Sequence, residues 1–186
     1  MKNDALPTAP MSVDDFLVWS QNLPEGERYE LVDGRLARMQ SERIIHAETK
    51  FAVVVALKAA LKRAGKSDCQ AFVDGVSVRI DETTLREPDA LIHCGPYDPN
   101  GIVAENPVVI VEVASGQSPD LKKTLDYFSL ESVQHYLILF PGEGRVLHQH
   151  RSAVPNEITT RIIGRDATID LSPPGISVSV EAFFTG

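Results

Sequence analysis

The sequence predicts an α/β (α+β) fold with a central strand buried on both faces, helices packed against it, and additional antiparallel hairpins. Three observations carry this. Residues 107 to 113 read Pro-Val-Val-Ile-Val-Glu-Val, with Val108 and Ile110 on one alternating face and Val109, Val111 and Val113 on the other, the pattern of a strand covered on both sides. From Arg43 to Ala64, Ile44, Ile45, Phe51, Val54, Val55, Leu57 and Leu61 recur at helical spacings, and Gly65 stands where a C-terminal cap belongs. Asp33-Gly34 separates two short runs, and this pair favours a two-residue hairpin turn because both central positions need positive φ.

The remaining elements follow in order. Residues 1 to 11, with scattered Pro and small residues, read as a loose leader before a single domain from 12 to 186. Ser12 opens a short helix to about Asn22, with an acidic residue three places on, and Pro24 and Gly26 end it. In the first hairpin, between Arg28 and Gln40, Glu30 points opposite to Tyr29 and Leu31; a solvated strand carboxylate is its plain reading. His46 falls in the first turn of the long helix, one turn before Lys50, a place where histidine is more often a hydrogen-bonded helix-end residue than a ligand. Asp74-Gly75 predicts a second hairpin across residues 71 to 80.

Pro88 cannot donate to a ladder, so Asp89 sits where regular pairing begins. Residues 95 to 106 form a surface loop. Ser118 as N-cap and Pro119 at the first helical position start a third helix, whose apolar face is Leu121, Leu125 and Phe128; Lys122 flanks that face and Lys123 turns further away. Residues 134 to 140 and 145 to 151 are strands joined by Pro-Gly-Glu-Gly. His148 and His150 share one face, but with no third ligand near them a solvated face is the better reading than a metal site. Three more short strands, at 158 to 163, 167 to 171 and 176 to 180, precede a closing helical turn.

Composition narrows the class. A chain of 186 residues, 43% hydrophobic, suits one domain with a proper core. No run approaches the roughly 20 apolar residues that span a bilayer, and no secretory signal is visible, so the expected location is cytoplasmic. Cys69 and Cys94, lacking any C-x-x-C spacing, read as buried thiols in a reducing compartment, not as a disulfide. A net charge of −8 argues against avid non-specific nucleic-acid binding, yet allows cations gathered around one acidic cluster.

The chemistry concentrates between Arg86 and Phe140. Asp89 and Glu112 are carboxylates inside otherwise apolar strands, and an unpartnered ionised carboxylate there costs several kcal/mol. Each is therefore paired, protonated or bound to metal. An ion pair with Lys122 or Lys123 is the purely structural alternative.

Together, Arg-Tyr-Glu-Leu-Val-Asp-Gly at 28 to 34, His46 at the head of the long helix, Pro88-Asp89, Val111-Glu112-Val113 with Ser115, and Lys123 with Tyr127 resemble the Uma-two family, a bacterial group of PD-(D/E)XK, restriction-endonuclease-like nucleases. The resemblance runs from about Val13 to Phe184. It implies a mixed central sheet flanked by helices, and a metal-dependent endonuclease acting on DNA with Mg²⁺ or Mn²⁺. Carried over by position, Asp89 and Glu112 are the paired acids and metal ligands, Lys123 or Lys122 the amine, Glu30 a further metal ligand and His46 an auxiliary residue. Ala114 stands where the superfamily has a lysine, so the amine comes from the following helix. The alternative is a nuclease-fold binding or regulatory module without turnover. A homodimer is expected because enzymes that cut two strands commonly pair their sites.

Overall fold

The structure is a computed structural model and describes residues 6–116 and 119–184. Helix α1 (Val13–Ser20) begins where Ser12 Oγ accepts the Asp15 N–H at 3.1 Å, and it buries Val13 and Phe16. Strands β1 (Tyr29–Val32) and β2 (Arg35–Arg38) make the expected hairpin, with Asp33 and Gly34 at φ 50° and 72°. Helix α2 (Ile44–Arg63) follows and ends at Gly65. Next come β3 (Cys69–Val73), β4 (Val78–Arg79), β5 (Leu85–Arg86), β6 (Ala90–Cys94) and β7 (Pro107–Val113). Helix α3 (Leu121–Ser129) then leads to β8 (His135–Phe140), β9 (Arg145–Arg151) and β10 (Ile158–Gly164). The hairpin of β11 (Thr168–Leu171) and β12 (Ile176–Ser179) precedes a 3-10 turn at Val180–Phe183.

The main sheet has six strands in the order β10-β9-β8-β7-β6-β3, and is mixed because β7 and β8 run parallel while the other pairs are antiparallel. A parallel pair needs a crossover, and α3 supplies it. A second sheet has the order β2-β1-β5-β4. Val109 and Val111 of β7 pack with Val53, Leu57 and Leu61 of α2, while Ile110 packs on the other face with Tyr127 and Phe128 of α3. Burial of each such side chain contributes about 1.5–3 kcal/mol, and this two-sided packing fixes the strand register from which the acids project.

Several expectations from the sequence are corrected. Asp74-Gly75 turns the chain, but not into a hairpin: β3 pairs with β6, whereas β4 pairs with β5 in the other sheet. A turn signal sets local direction, and partner choice depends on burial elsewhere. Cys69 and Cys94 are not free thiols but a disulfide, because they are direct partners in the β3–β6 register with Cα atoms 4.0 Å apart. That proximity comes from strand pairing, which their spacing of 25 residues does not encode.

Helix α3 is capped by Asp120, which accepts the Lys122 N–H at 2.8 Å, so Pro119 precedes the cap; Ser118 lies outside the described residues. Its buried face is Thr124, Tyr127 and Phe128, while Leu121 and Leu125 face solvent at 69% and 61% exposure. The sheet beneath offers Tyr127 both an aromatic partner, Tyr136, and an acceptor, Glu112, which the leucines cannot use. The β9 histidines also differ from expectation: His148 is buried, and a third histidine, His135, lies opposite His150 in the register. His135 Nδ1 and His148 Nε2 share a hydrogen bond at 3.0 Å.

Candidate active site

The site forms at the end of the β6–β7 pair. Ala90 lies opposite Val111, so one further residue sets Asp89 opposite Glu112. Directly opposed residues share a face, with Cβ atoms about 4.5–5.5 Å apart. Pro88 stops regular pairing just before this point, and the side chain of Asp89 takes over from the ladder: Oδ2 accepts the Val113 N–H at 2.6 Å. Asp89 is thereby fixed at the strand end, with its other oxygen, Oδ1, turned toward the ammonium of Lys50.

Lys123 and Tyr127, one helical turn apart on α3, both reach Glu112 Oε1, the ammonium at 2.8 Å and the phenol donating at 2.7 Å. From α2, the ammonium of Lys50 lies 2.6 Å from Glu42, 3.0 Å from Asp74 and 3.5 Å from Asp89 Oδ1. Glu30 of β1 accepts the Glu87 N–H at 3.0 Å and pairs with Arg86 at 3.2 Å. Arg86, itself buried, turns its other nitrogens to Asp126 of α3. This part-buried cluster ties the small sheet to α3.

Burial pushes both acids up from the ordinary carboxylate range. For Asp89 it outweighs the Val113 N–H and the nearby Lys50 and Lys123 charges. For Glu112 it outweighs Lys123, and the negative charge of Asp89 adds to it. Burial alone would lower Lys123, but Glu112 and Glu30 outweigh it and hold the ammonium protonated; burial likewise yields at Lys50 to Glu42 and Asp74. Burial lowers His46, and Arg43, whose guanidinium lies 3.0 Å from its Nε2, lowers it further.

Asp89, Glu112, Lys123, Glu30 and His46 all line one open cleft of about 1020 Å³. Lys122 does not: it points to Asp33 at 3.0 Å and to Asp126 at 3.7 Å. It is thus Lys123, which the leucine spacing of the sequence turns away, that faces the acids, because the buried side of α3 is the Tyr127 side. Lys50, Asp74, Arg86 and Asp126 went unassigned in the sequence. A signal existed for two of them: Lys50 is four residues after His46 and so shares its helix face, and Arg86 immediately precedes the Glu-Pro-Asp turn. Exposed Arg38 and Arg43 stand at the rim, with no carboxylate partner among the described residues.

The donors facing the cleft are hard carboxylate oxygens beside ammonium groups. Such a set suits a hard divalent cation, which takes one or two carboxylates and keeps several waters. Among the described residues no group of three or more His, Cys, Asp or Glu side chains is arranged to cage a metal.

The six-stranded mixed sheet flanked by helices is the architecture of the restriction-endonuclease-like fold class, with Asp89 just ahead of β6, Glu112 on β7 and Lys123 on the crossover helix. A crystal structure described as a putative nuclease belonging to DUF820, from Anabaena variabilis, superposes with a TM-score of 0.71 at 19% identity, over 94% of this chain and 98% of that one. Residues 13–181 match the model of the Uma2 family, described as putative restriction endonuclease, and the chain belongs to that family. No curated protein matches it. Among the described residues, no helix is long and apolar enough to cross a membrane.

Proposed function

We propose that this protein is a divalent-metal-dependent endonuclease that hydrolyses phosphodiester bonds of DNA at the Asp89–Glu112–Lys123 cleft. The observation that supports the reading most is the convergence of these three groups, with Lys123 Nζ 2.8 Å from Glu112 and Asp89 on the adjoining strand end in the same cleft. Asp89 and Glu112 would hold Mg²⁺ or Mn²⁺, with Glu30 bordering the same space. Bound there, the cation would supply an activated water and relieve charge on the phosphate.

The protein's own groups do the rest. Lys123 stays charged and serves as a fixed point charge toward the developing oxyanion or the attacking water. Tyr127, fully buried, donates to Glu112 and holds that carboxylate in one orientation. Arg86 holds Glu30, and His46 is held by Arg43 at the mouth. Arg38 and Arg43 offer phosphate contacts along the approach, which reconciles a net charge of −8 with a DNA substrate.

A second reading, a DNA-binding or regulatory module without turnover, is favoured by Lys50, whose ammonium already lies 3.5 Å from Asp89. One experiment separates them. Mn²⁺ and Mg²⁺ binding is followed by calorimetry, and cleavage of supercoiled, linear, single-stranded and branched DNA is followed in parallel, for wild type and Asp89→Asn. Metal binding and metal-dependent cleavage, both lost in the variant, support the enzyme; binding of DNA with neither metal binding nor cleavage overturns it in favour of the module.

A further inference from the structure

Helix α2 is apolar over more of its circumference than the described residues cover. Val53, Leu57 and Leu61 are buried against the sheet, yet Phe51 and Val55 stand out at 71% and 51% exposure. A helix that stays apolar on its outward side ordinarily has something further to pack against. These two residues border a groove of about 470 Å³ between α2 and the β12 end of the chain. Its floor is made of small residues, Ala52, Ala56 and Ala59 with Ala182 alongside, and it carries Glu48 toward one end of the helix and Arg63 toward the other.

We infer that this face seats a second copy of the chain, across a two-fold axis that crosses α2 between Val55 and Ala56. Two-fold interfaces are isologous, so a patch must complement itself. This one does. With two α2 helices antiparallel about that point, Glu48 meets the partner's Arg63, Ala52 meets the partner's Ala59, and Val55 meets the partner's Ala56. The small residues allow close approach of the helix axes, and the projecting Phe51 finds space over the alanine floor opposite. A parallel pairing would set Glu48 against Glu48 and Arg63 against Arg63, so charge selects the antiparallel arrangement. His46 and Lys50 lie on the side of α2 that lines the acidic cleft, and the two clefts stay open. The inference does not depend on the nuclease reading.

The test is sedimentation equilibrium of the full chain at micromolar to submillimolar concentration, with circular dichroism to check folding. Wild type is expected to dimerise, and Phe51→Glu to be monomeric with an unchanged spectrum. Glu48→Arg and Arg63→Glu should each weaken association by about two- to tenfold, since each breaks two rim pairs, while the double reversal restores it. A monomeric wild type overturns the inference. So does a dimer indifferent to Phe51→Glu, or single reversals that the double variant fails to rescue. A wild type that binds a small apolar dye in the groove without self-association also overturns it.

Discussion

Lys123 Nζ lies 2.8 Å from Glu112 Oε1, so the crossover helix that makes β7 and β8 parallel also delivers the amine to the acid that β7 carries. One element thus meets a topological need and completes the site. Lys122, its chain neighbour, is turned through about a quarter of the helix and spends its charge on Asp33 and Asp126.

The two lysines should therefore differ. Lys123→Ala is expected to lower metal-dependent cleavage by about 10²–10³-fold, the usual cost of losing one preorganised charge donor. Lys122→Ala should leave the rate close to wild type. Single-turnover cleavage of a labelled duplex reads both, and equal effects would mean that Lys123 has no special role.

Arg86 is buried between Glu30 and Asp126, at 3.2 Å and 2.5 Å. Its replacement leaves two carboxylates without their cation in a poorly hydrated place. Arg86→Met is expected to destabilise the fold by about 3–5 kcal/mol, measured as a shift of the urea midpoint. A loss below about 1 kcal/mol would indicate a solvated cluster behaving as a surface pair.

The buried histidines make stability fall in acid. Burial lowers His135 from 6.5 to about 4, with the charge of His150 acting the same way, and lowers His148 from 6.5 to about 3, with His135 and His150 adding to it. Both are depressed in the folded state, so the unfolded chain takes up protons first as pH drops below about 6.5. Stability is therefore full above that pH, falls through the window down to about 3–4, and flattens below it. Thermal melts between pH 7.5 and 4.5 should show this slope, and His148→Gln should make it shallower. An unchanged slope in the variant would rule out this source.

Arg38 and Arg43 are expected to act on DNA affinity through phosphate contacts. Removing both should lower the slope of log K against log salt by up to about 2, close to one unit for each phosphate that an arginine neutralises. Fluorescence anisotropy with duplex DNA at several salt concentrations measures it. An unaltered slope would place the DNA path elsewhere.

Much of this molecule is legible from the chain alone. The Asp33-Gly34 hairpin, the Ser12 cap, the span of α2 and the two-sided burial of β7 follow from local propensity and hydrophobic period, which act over a few residues. The resemblance read from the order of Pro88-Asp89, Glu112 and Lys123 along the chain agrees with the family whose model matches residues 13–181. What the chain leaves open is pairing between distant segments. That Asp74-Gly75 separates two sheets, that Cys69 meets Cys94, that His135 joins His148, and that Lys50 stands beside Asp89 all depend on register between elements far apart in sequence. So does the choice between Lys122 and Lys123, decided when the Tyr127 side of α3 found both a hydrogen-bond acceptor and an aromatic neighbour in the sheet. Short-range preference wrote the elements; the burial of nonlocal surfaces, which no local spacing records, decided which side chains share a cleft.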